Sequence, residues 1–166
     1  HERLVGSEMC IRDRLKAGVY VNGNASSLDA NDLFTLNNLG SATLADKLSA
    51  TGILVQQVQN ATISGNIING IISGNTNTAL AIGVFGTIST VNIFNNRISD
   101  IKNTNTGAPQ GCQGIHLAAS TTSSNVKVYN NFIWDLASFG QSGFGATANA
   151  WGILMSSGGG YNVYYN

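Results

Sequence analysis

The chain has 166 residues, eight of them basic and eight acidic, for a formal net charge of zero. That excludes the strong positive field on which nucleic-acid or anionic-membrane binding depends, and no apolar run approaches the roughly 20 residues of a membrane-spanning helix. Charged residues make up only 10%, against roughly 25% in an average domain, so Asn, Gly, Ser and Thr carry the polarity.

In chain order, the first segment stands apart. Leu4-Val5-Gly6-Ser7-Glu8-Met9-Cys10-Ile11-Arg12-Asp13-Arg14 shares no pattern with the rest of the chain and resembles the in-frame translation of a transposase sequencing adapter. Residues 1–14 are therefore set aside as non-native. They hold three acids and three bases, so the charge balance survives their removal, and Cys112 becomes the one remaining cysteine, suited to a small buried or loop thiol. Residues 15–166 suffice for one domain, and the chain is expected to be a fragment that lacks its own beginning and breaks off mid-repeat at Asn166.

Residues 15–49 are loop-rich. Gly18-Val19-Tyr20-Val21 and Leu33-Phe34-Thr35-Leu36-Asn37-Asn38 look like a degenerate copy of the repeat found from residue 50 onward, and Asp29 and Asp32 suit turns. Residues 41–48 suggest one short helix outside the main body, with Ser41 as its N-cap.

The repeat itself is a two-part phrase. It reads Gly52-Ile53-Leu54-Val55 with Ala61-Thr62-Ile63-Ser64-Gly65-Asn66-Ile67-Ile68-Asn69-Gly70-Ile71. The second copy is Ala79-Leu80-Ala81-Ile82 with Val91-Asn92-Ile93-Phe94-Asn95-Asn96-Arg97-Ile98-Ser99-Asp100-Ile101. The third is Gly114-Ile115-His116-Leu117 with Val126-Lys127-Val128-Tyr129-Asn130-Asn131-Phe132-Ile133-Trp134-Asp135-Leu136. A shortened copy closes the chain at Gly152-Ile153-Leu154-Met155 and Tyr161-Asn162-Val163-Tyr164-Tyr165-Asn166. A fixed phrase at a period of about 27–38 residues means stacked units rather than a single core.

Within each copy the aliphatic residues alternate with polar or aromatic ones, the period of a strand with one buried face. Three short strands per copy cannot stand alone. Stacked turn on turn, they gain both ladder hydrogen bonds and burial, whereas Asn, Gly, Ser, Thr and β-branched residues are poor in helix interiors. The residue before the aligned asparagine is Gly65, Asn95 or Asn130, types that tolerate left-handed backbone, so the chain should turn there. Tyr165 breaks that column and puts the last bend in question. Asn66, Asn96, Asn131 and Asn166 form the aligned column itself, spaced to hydrogen-bond from turn to turn as a structural ladder at roughly 4.8 Å.

These residues resemble the right-handed parallel β-helix of the pectin-lyase-like superfamily, and the wider pattern is similar to large secreted surface proteins of Bacteroidetes-type bacteria. The resemblance covers about residues 50–166 and implies an all-β, right-handed parallel β-helix of about 4–5 turns, truncated at both ends. It also implies export, through type IX secretion, to the extracellular space or outer cell surface. It fixes fold better than activity.

Candidate chemistry is sparse. Family members that cleave acidic polysaccharides use clustered aspartates, and the aligned acids here are Asp100 and Asp135. They could share a calcium ion through oxygen ligands, but two carboxylates make a poor site and turn formation is the plainer role. His116, Arg97 and Lys127 point outward in separate columns. No catalytic residue, metal site or cofactor is assigned. The suggestive feature is an outward aromatic column of Phe94, Tyr129 and Tyr164 with Trp134 nearby, which can stiffen the stack or offer a platform to sugar rings. The expected role is a structural or adhesive segment of a surface repeat protein, flanked by further β-helix turns. The alternatives are a carbohydrate-binding face for surface polysaccharide or other cell-surface glycans, and part of a polysaccharide lyase or glycosidase with its active site elsewhere.

Overall fold

β-Branched residues alternating with small polar ones make extended chain with one apolar face, and in this protein the next turn completes each strand. A computed structural model describes residues 16–107, 111–140 and 149–166; the adapter-like segment lies outside the described residues. In chain order the strands are β1 (Ala17–Asn22), β2 (Asp29–Ala30), β3 (Leu33–Thr35), β4 (Asn38–Leu39), β5 (Thr51–Ser64), β6 (Ile67–Ser73) and β7 (Ala79–Phe94). They continue with β8 (Arg97–Asn103), β9 (Cys112–Ala119), β10 (Val126–Tyr129), β11 (Phe132–Ile133), β12 (Leu136–Ser138), β13 (Ala150–Ser157) and β14 (Tyr161–Tyr164).

Every pairing between these strands is parallel. One sheet runs β1-β5-β7-β10-β14, with β2 and β3 also on β5, β9 on β7 and β13 on β9; the other runs β11-β8-β6-β4, with β12 on β8. The result is a parallel β-solenoid of about four turns with almost no helix.

The register is what makes the fold. Phe34, Ile63, Ile93, Val128 and Val163 are successive partners, and the middle three are fully buried. Val19, Ile53, Ile82, Ile115 and Ile153 make a second interior column. Leu39, Ile68, Ile98 and Ile133 make a third, in the other sheet. Each fully buried Ile or Val stabilises the stack by roughly 1.5–3 kcal/mol relative to exposure.

Left-handed residues set the corners. Asn60, Gly65 and Gly70 have positive φ, as do Thr90, Asn95 and Asp100, and Asn125, Asn130 and Asp135. Each corner thus falls at the same place in successive turns. Tyr165 keeps this bend with φ 53°, and Leu36 does so with φ 57°. The expected break at Tyr165 is therefore absent: neighbouring turns hold the corner even where the residue has no preference for it. Asp100 and Asp135 stand in a turn column with Gly70, which accounts for their type.

Two sequence expectations need correction. The copy beginning at Ala79 is displaced by two residues: Ile82, Gly83 and Val84 pair with Ile115, His116 and Leu117. Ala81-Ile82-Gly83-Val84 is therefore the true counterpart, and Gly83, not Ala81, stands in the His116 column. A shift of two keeps every side chain on its own face, so alternation alone gave no warning.

The predicted helix over residues 41–48 is reduced to a 3-10 turn at Leu44–Asp46 without a side-chain cap. Ser41 Oγ instead accepts from the Thr43 N–H at 3.0 Å. So short a segment cannot offset the cost of helix nucleation. Its end, Lys47 and Leu48, is buried in the stack, where Leu48 bridges to Ile71. The degenerate copy in residues 15–49 is real, with β1 and β3 in register on β5.

Candidate functional site

The outward face of β7, β10 and β14 carries the aromatic column, because Phe94, Tyr129 and Tyr164 are register partners. Their rings are parallel: Phe94 and Tyr129 have centroids 5.0 Å apart at 5°, Tyr129 and Tyr164 5.2 Å apart at 1°. Such pairs contribute about 0.5–1.5 kcal/mol beyond burial. Stacking along the solenoid axis turns the ring faces on each other, so a saccharide approaching from the side meets ring edges. Tyr165 lies edge-on to the terminal ring at 5.6 Å.

Trp134 does not extend this column. It packs against Phe132, with centroids 4.7 Å apart and planes at 39°. Both belong to the second sheet side of the corner, where Phe132 follows Arg97 in register and the Trp134 N–H donates to Ile98 O. Phe132 is 62% exposed and Trp134 38%, so this tilted pair offers open aromatic surface. Sequence reading missed Phe132, whose place in the phrase is held by Ile67 and Arg97 in the earlier copies.

Beneath the aromatic column runs the asparagine ladder, one member longer than expected. Asn37, Asn66, Asn96, Asn131 and Asn166 succeed one another at separations of 29, 30, 35 and 35 residues. The Oδ1 atoms of Asn66, Asn96, Asn131 and Asn166 each accept both the backbone N–H and the side-chain amide of the asparagine one turn earlier, at 2.8–3.1 Å. The amides of Asn66, Asn96, Asn131 and Asn166 also donate to Phe34, Ile63, Ile93 and Val128 carbonyls. Asn66 and Asn96 are fully buried and still satisfied, as buried polar groups require. The bonds from asparagine to asparagine all run toward the later turn, so that part of the ladder has a polarity.

The aligned acids are neutralised by lysines. Lys47 Nζ is paired with Asp100 Oδ2, and Lys102 Nζ lies 2.7 Å from Asp100 Oδ1 and 3.2 Å from Asp135 Oδ2. Burial raises the Asp100 pKa, but hydrogen bonds from Lys102 and Lys47, aided by their charges, outweigh it and leave the carboxyl below its ordinary value. Lys102 is raised, chiefly by its bond to Asp100. Asp100 is thus held as the carboxylate by two lysines, and no metal-holding group of three His, Cys, Asp or Glu occurs among the described residues.

A lowered folded pKa means that Asp100 stabilises fully above its unfolded value of about 3.9, and this contribution is lost as pH falls through the lower folded value. The thermal midpoint of the protein is expected to fall between pH 5 and pH 2 by more than that of Asp100→Asn. Equal acid sensitivity of the two would contradict the ion-pair account.

The remaining candidates are dispersed. His116 is half-buried, its Nε2 is 2.7 Å from Ser156 Oγ, and Phe85 meets it edge-on at 4.9 Å; burial lowers its pKa. Cys112 is buried, and desolvation pushes its thiol up to about 11, which suits packing rather than nucleophilic chemistry. Burial first, and the Asp29 charge second, raise Asp32, while Asp29 Oδ1 accepts the Ala30 N–H at 3.0 Å in the manner of a turn former. Arg97 and Lys127 are exposed and sit in different sheets. No family model, curated protein or solved structure matches this chain.

Proposed function

We propose that this chain is a rigid structural or adhesive segment of a repeat protein at the outer cell surface or in the extracellular space, built on the right-handed, pectin-lyase-like variety of β-helix and exported by a type IX route. The observation that carries the proposal is the unbroken asparagine ladder beside registered interior columns. Together they make a stiff rod that repeats its outward side chains at strand spacing. The cluster of Asp100 and Asp135 is closed on itself by Lys47 and Lys102. Antibodies raised against the chain should label intact cells carrying its gene. Labelling that appears only after permeabilisation overturns the surface assignment.

A second reading, a face for surface polysaccharide or other cell-surface glycans, is favoured by Phe132 and Trp134. Their exposed, tilted rings suit sugar stacking better than the edge-on column. On a glycan array, Phe132→Ala with Trp134→Ala is expected to weaken binding about tenfold or more, equivalent to about 1.4 kcal/mol. Phe94→Ala, Tyr129→Ala and Tyr164→Ala together should leave it largely intact. An unchanged signal in the first variant removes this reading.

A further inference from the structure

The chain has five tyrosines, and the fold treats two of them unlike the rest. Tyr129 and Tyr164 are register partners on β10 and β14, with ring centroids 5.2 Å apart and planes 1° from parallel. Both rings point outward, Tyr129 half-buried and Tyr164 exposed. Tyr20 and Tyr161 stack on no other ring among the described residues, and their phenols are engaged elsewhere. Tyr20 Oη donates to Gln56 Oε1 at 3.0 Å, while Tyr161 Oη donates to Ser157 O at 2.6 Å and accepts the Ala119 N–H at 2.8 Å. Tyr165 meets Tyr164 only edge-on, at 87°. Phe94 stands on the far face of Tyr129 and has no phenol, so two oxidisable rings lie face to face.

We propose that Tyr129 and Tyr164 form an oxidative cross-linking site, at which a haem peroxidase with hydrogen peroxide joins the two rings as dityrosine and staples one turn of the solenoid to the next. Each phenol gives an electron to the peroxidase and a proton to water, leaving two phenoxyl radicals with spin on the ring carbons beside the oxygen. A carbon–carbon bond forms between one such carbon of each ring. The hydrogens on those two carbons then move to the oxygens and restore the phenols. The chain loses two hydrogen atoms in all, and one peroxide becomes two waters. Stacking in register makes the coupling effectively unimolecular, so it outruns encounter with another molecule at micromolar concentration. Exposed side chains change rotamer within nanoseconds, which lets the outward rings tilt until the two carbons meet. The new bond closes the chain from residue 129 to residue 164 covalently and restricts the unfolded state. Such stapling depends on the stacked register and not on the surface role.

The test treats the full chain at micromolar concentration with a haem peroxidase and hydrogen peroxide. A product of monomer size, lighter by two hydrogen atoms and showing dityrosine fluorescence, is expected. Chymotrypsin can cut at Phe132, Phe139 and Trp151 between the two tyrosines, and mass spectrometry of the digest should find the peptides of Tyr129 and Tyr164 joined. Tyr129→Phe and Tyr164→Phe keep a ring in the stack without its phenol, and each should lower the yield of this product about tenfold or more. Tyr161→Phe and Tyr165→Phe should leave the yield as it is. The cross-linked monomer is expected to unfold about 5 °C or more above the untreated chain. Dityrosine found only in covalent dimers, a link from Tyr164 to Tyr165 in its place, or an undiminished yield in Tyr129→Phe overturns the proposal. An unchanged unfolding midpoint in the cross-linked monomer removes the staple.

Discussion

Replacing Asn96 by Ala is expected to destabilise the protein by about 2–5 kcal/mol, enough to lower its unfolding midpoint steeply or prevent folding. Asn96 Oδ1 accepts the Asn66 backbone N–H at 3.0 Å and the Asn66 amide at 2.8 Å, and Asn96 Nδ2 donates to Ile63 O and to Asn131 Oδ1, both at 2.9 Å. Truncation leaves the Asn66 N–H and the Ile63 carbonyl without these partners in an interior closed to water. An orphaned buried polar group costs about 1–3 kcal/mol, and two are created together. The Asn66 amide keeps its bond to Phe34 O at 2.8 Å, so it limits the loss.

Two companion variants separate bonding from shape. Asn96→Asp has nearly the same volume and keeps an acceptor for Asn66, but its second oxygen faces Ile63 O and Asn131 Oδ1. Acceptor then meets acceptor, and a charge is buried without a counterion. That Asp has a folded pKa above its unfolded one, so its deficit shrinks as pH falls through the folded value. Asn37→Ala, at the half-buried end of the ladder, removes only donors and should cost less than about 1 kcal/mol. Chemical denaturation of the three variants at neutral and acid pH gives the comparison. Equal losses at Asn37 and Asn96 would show that the ladder does not act through burial.

The sequence is most legible where local chemistry and stacking demand the same thing. In Val126-Lys127-Val128-Tyr129-Asn130-Asn131, alternation gives the buried face, Asn130 the left-handed corner and Asn131 the ladder position, and the structure has all three. Legibility fails where the neighbouring turn decides. Tyr165 has no intrinsic reason to adopt φ 53°, but Asn130 N–H donates to its carbonyl and Asn131 bonds Asn166 beside it. The copy at Ala79 slid by two residues because Ala81 could pass for the glycine-column residue or for the outward one. The Lys47–Asp100 pair was hidden because its partners lie 53 residues apart. Trp134 was placed near the aromatic column by sequence distance, whereas a corner of the solenoid separates them in space.

Gly70→Ala is the other substitution with a large expected effect, about 3–5 kcal/mol, and it shows how one column can treat the same change differently. Gly70 has φ 83°, which costs an alanine roughly 1–2 kcal/mol by itself. An added Cβ would also overlap the Ser41 carbonyl oxygen and lie 3.2 Å from Lys47 Cγ, and backbone overlap forces a shift worth about 1–3 kcal/mol more. Relief requires residues 41–48 to lift away. That movement loosens buried Leu48, whose N–H donates to Gly70 O at 3.1 Å and whose carbonyl accepts from Ile72 at 2.8 Å. It also pulls Lys47 from Asp100. Asp135 stands two turns on in the same corner column with φ 53° and a half-exposed side chain. Asp135→Gly relieves the backbone and gives up only the 3.2 Å, solvent-screened contact with Lys102, so it should change stability by no more than about 1 kcal/mol. A thermal midpoint for Gly70→Ala close to that of the parent would mean that the segment over Gly70 is not seated there, and the burial of Lys47 and Leu48 would lose its support.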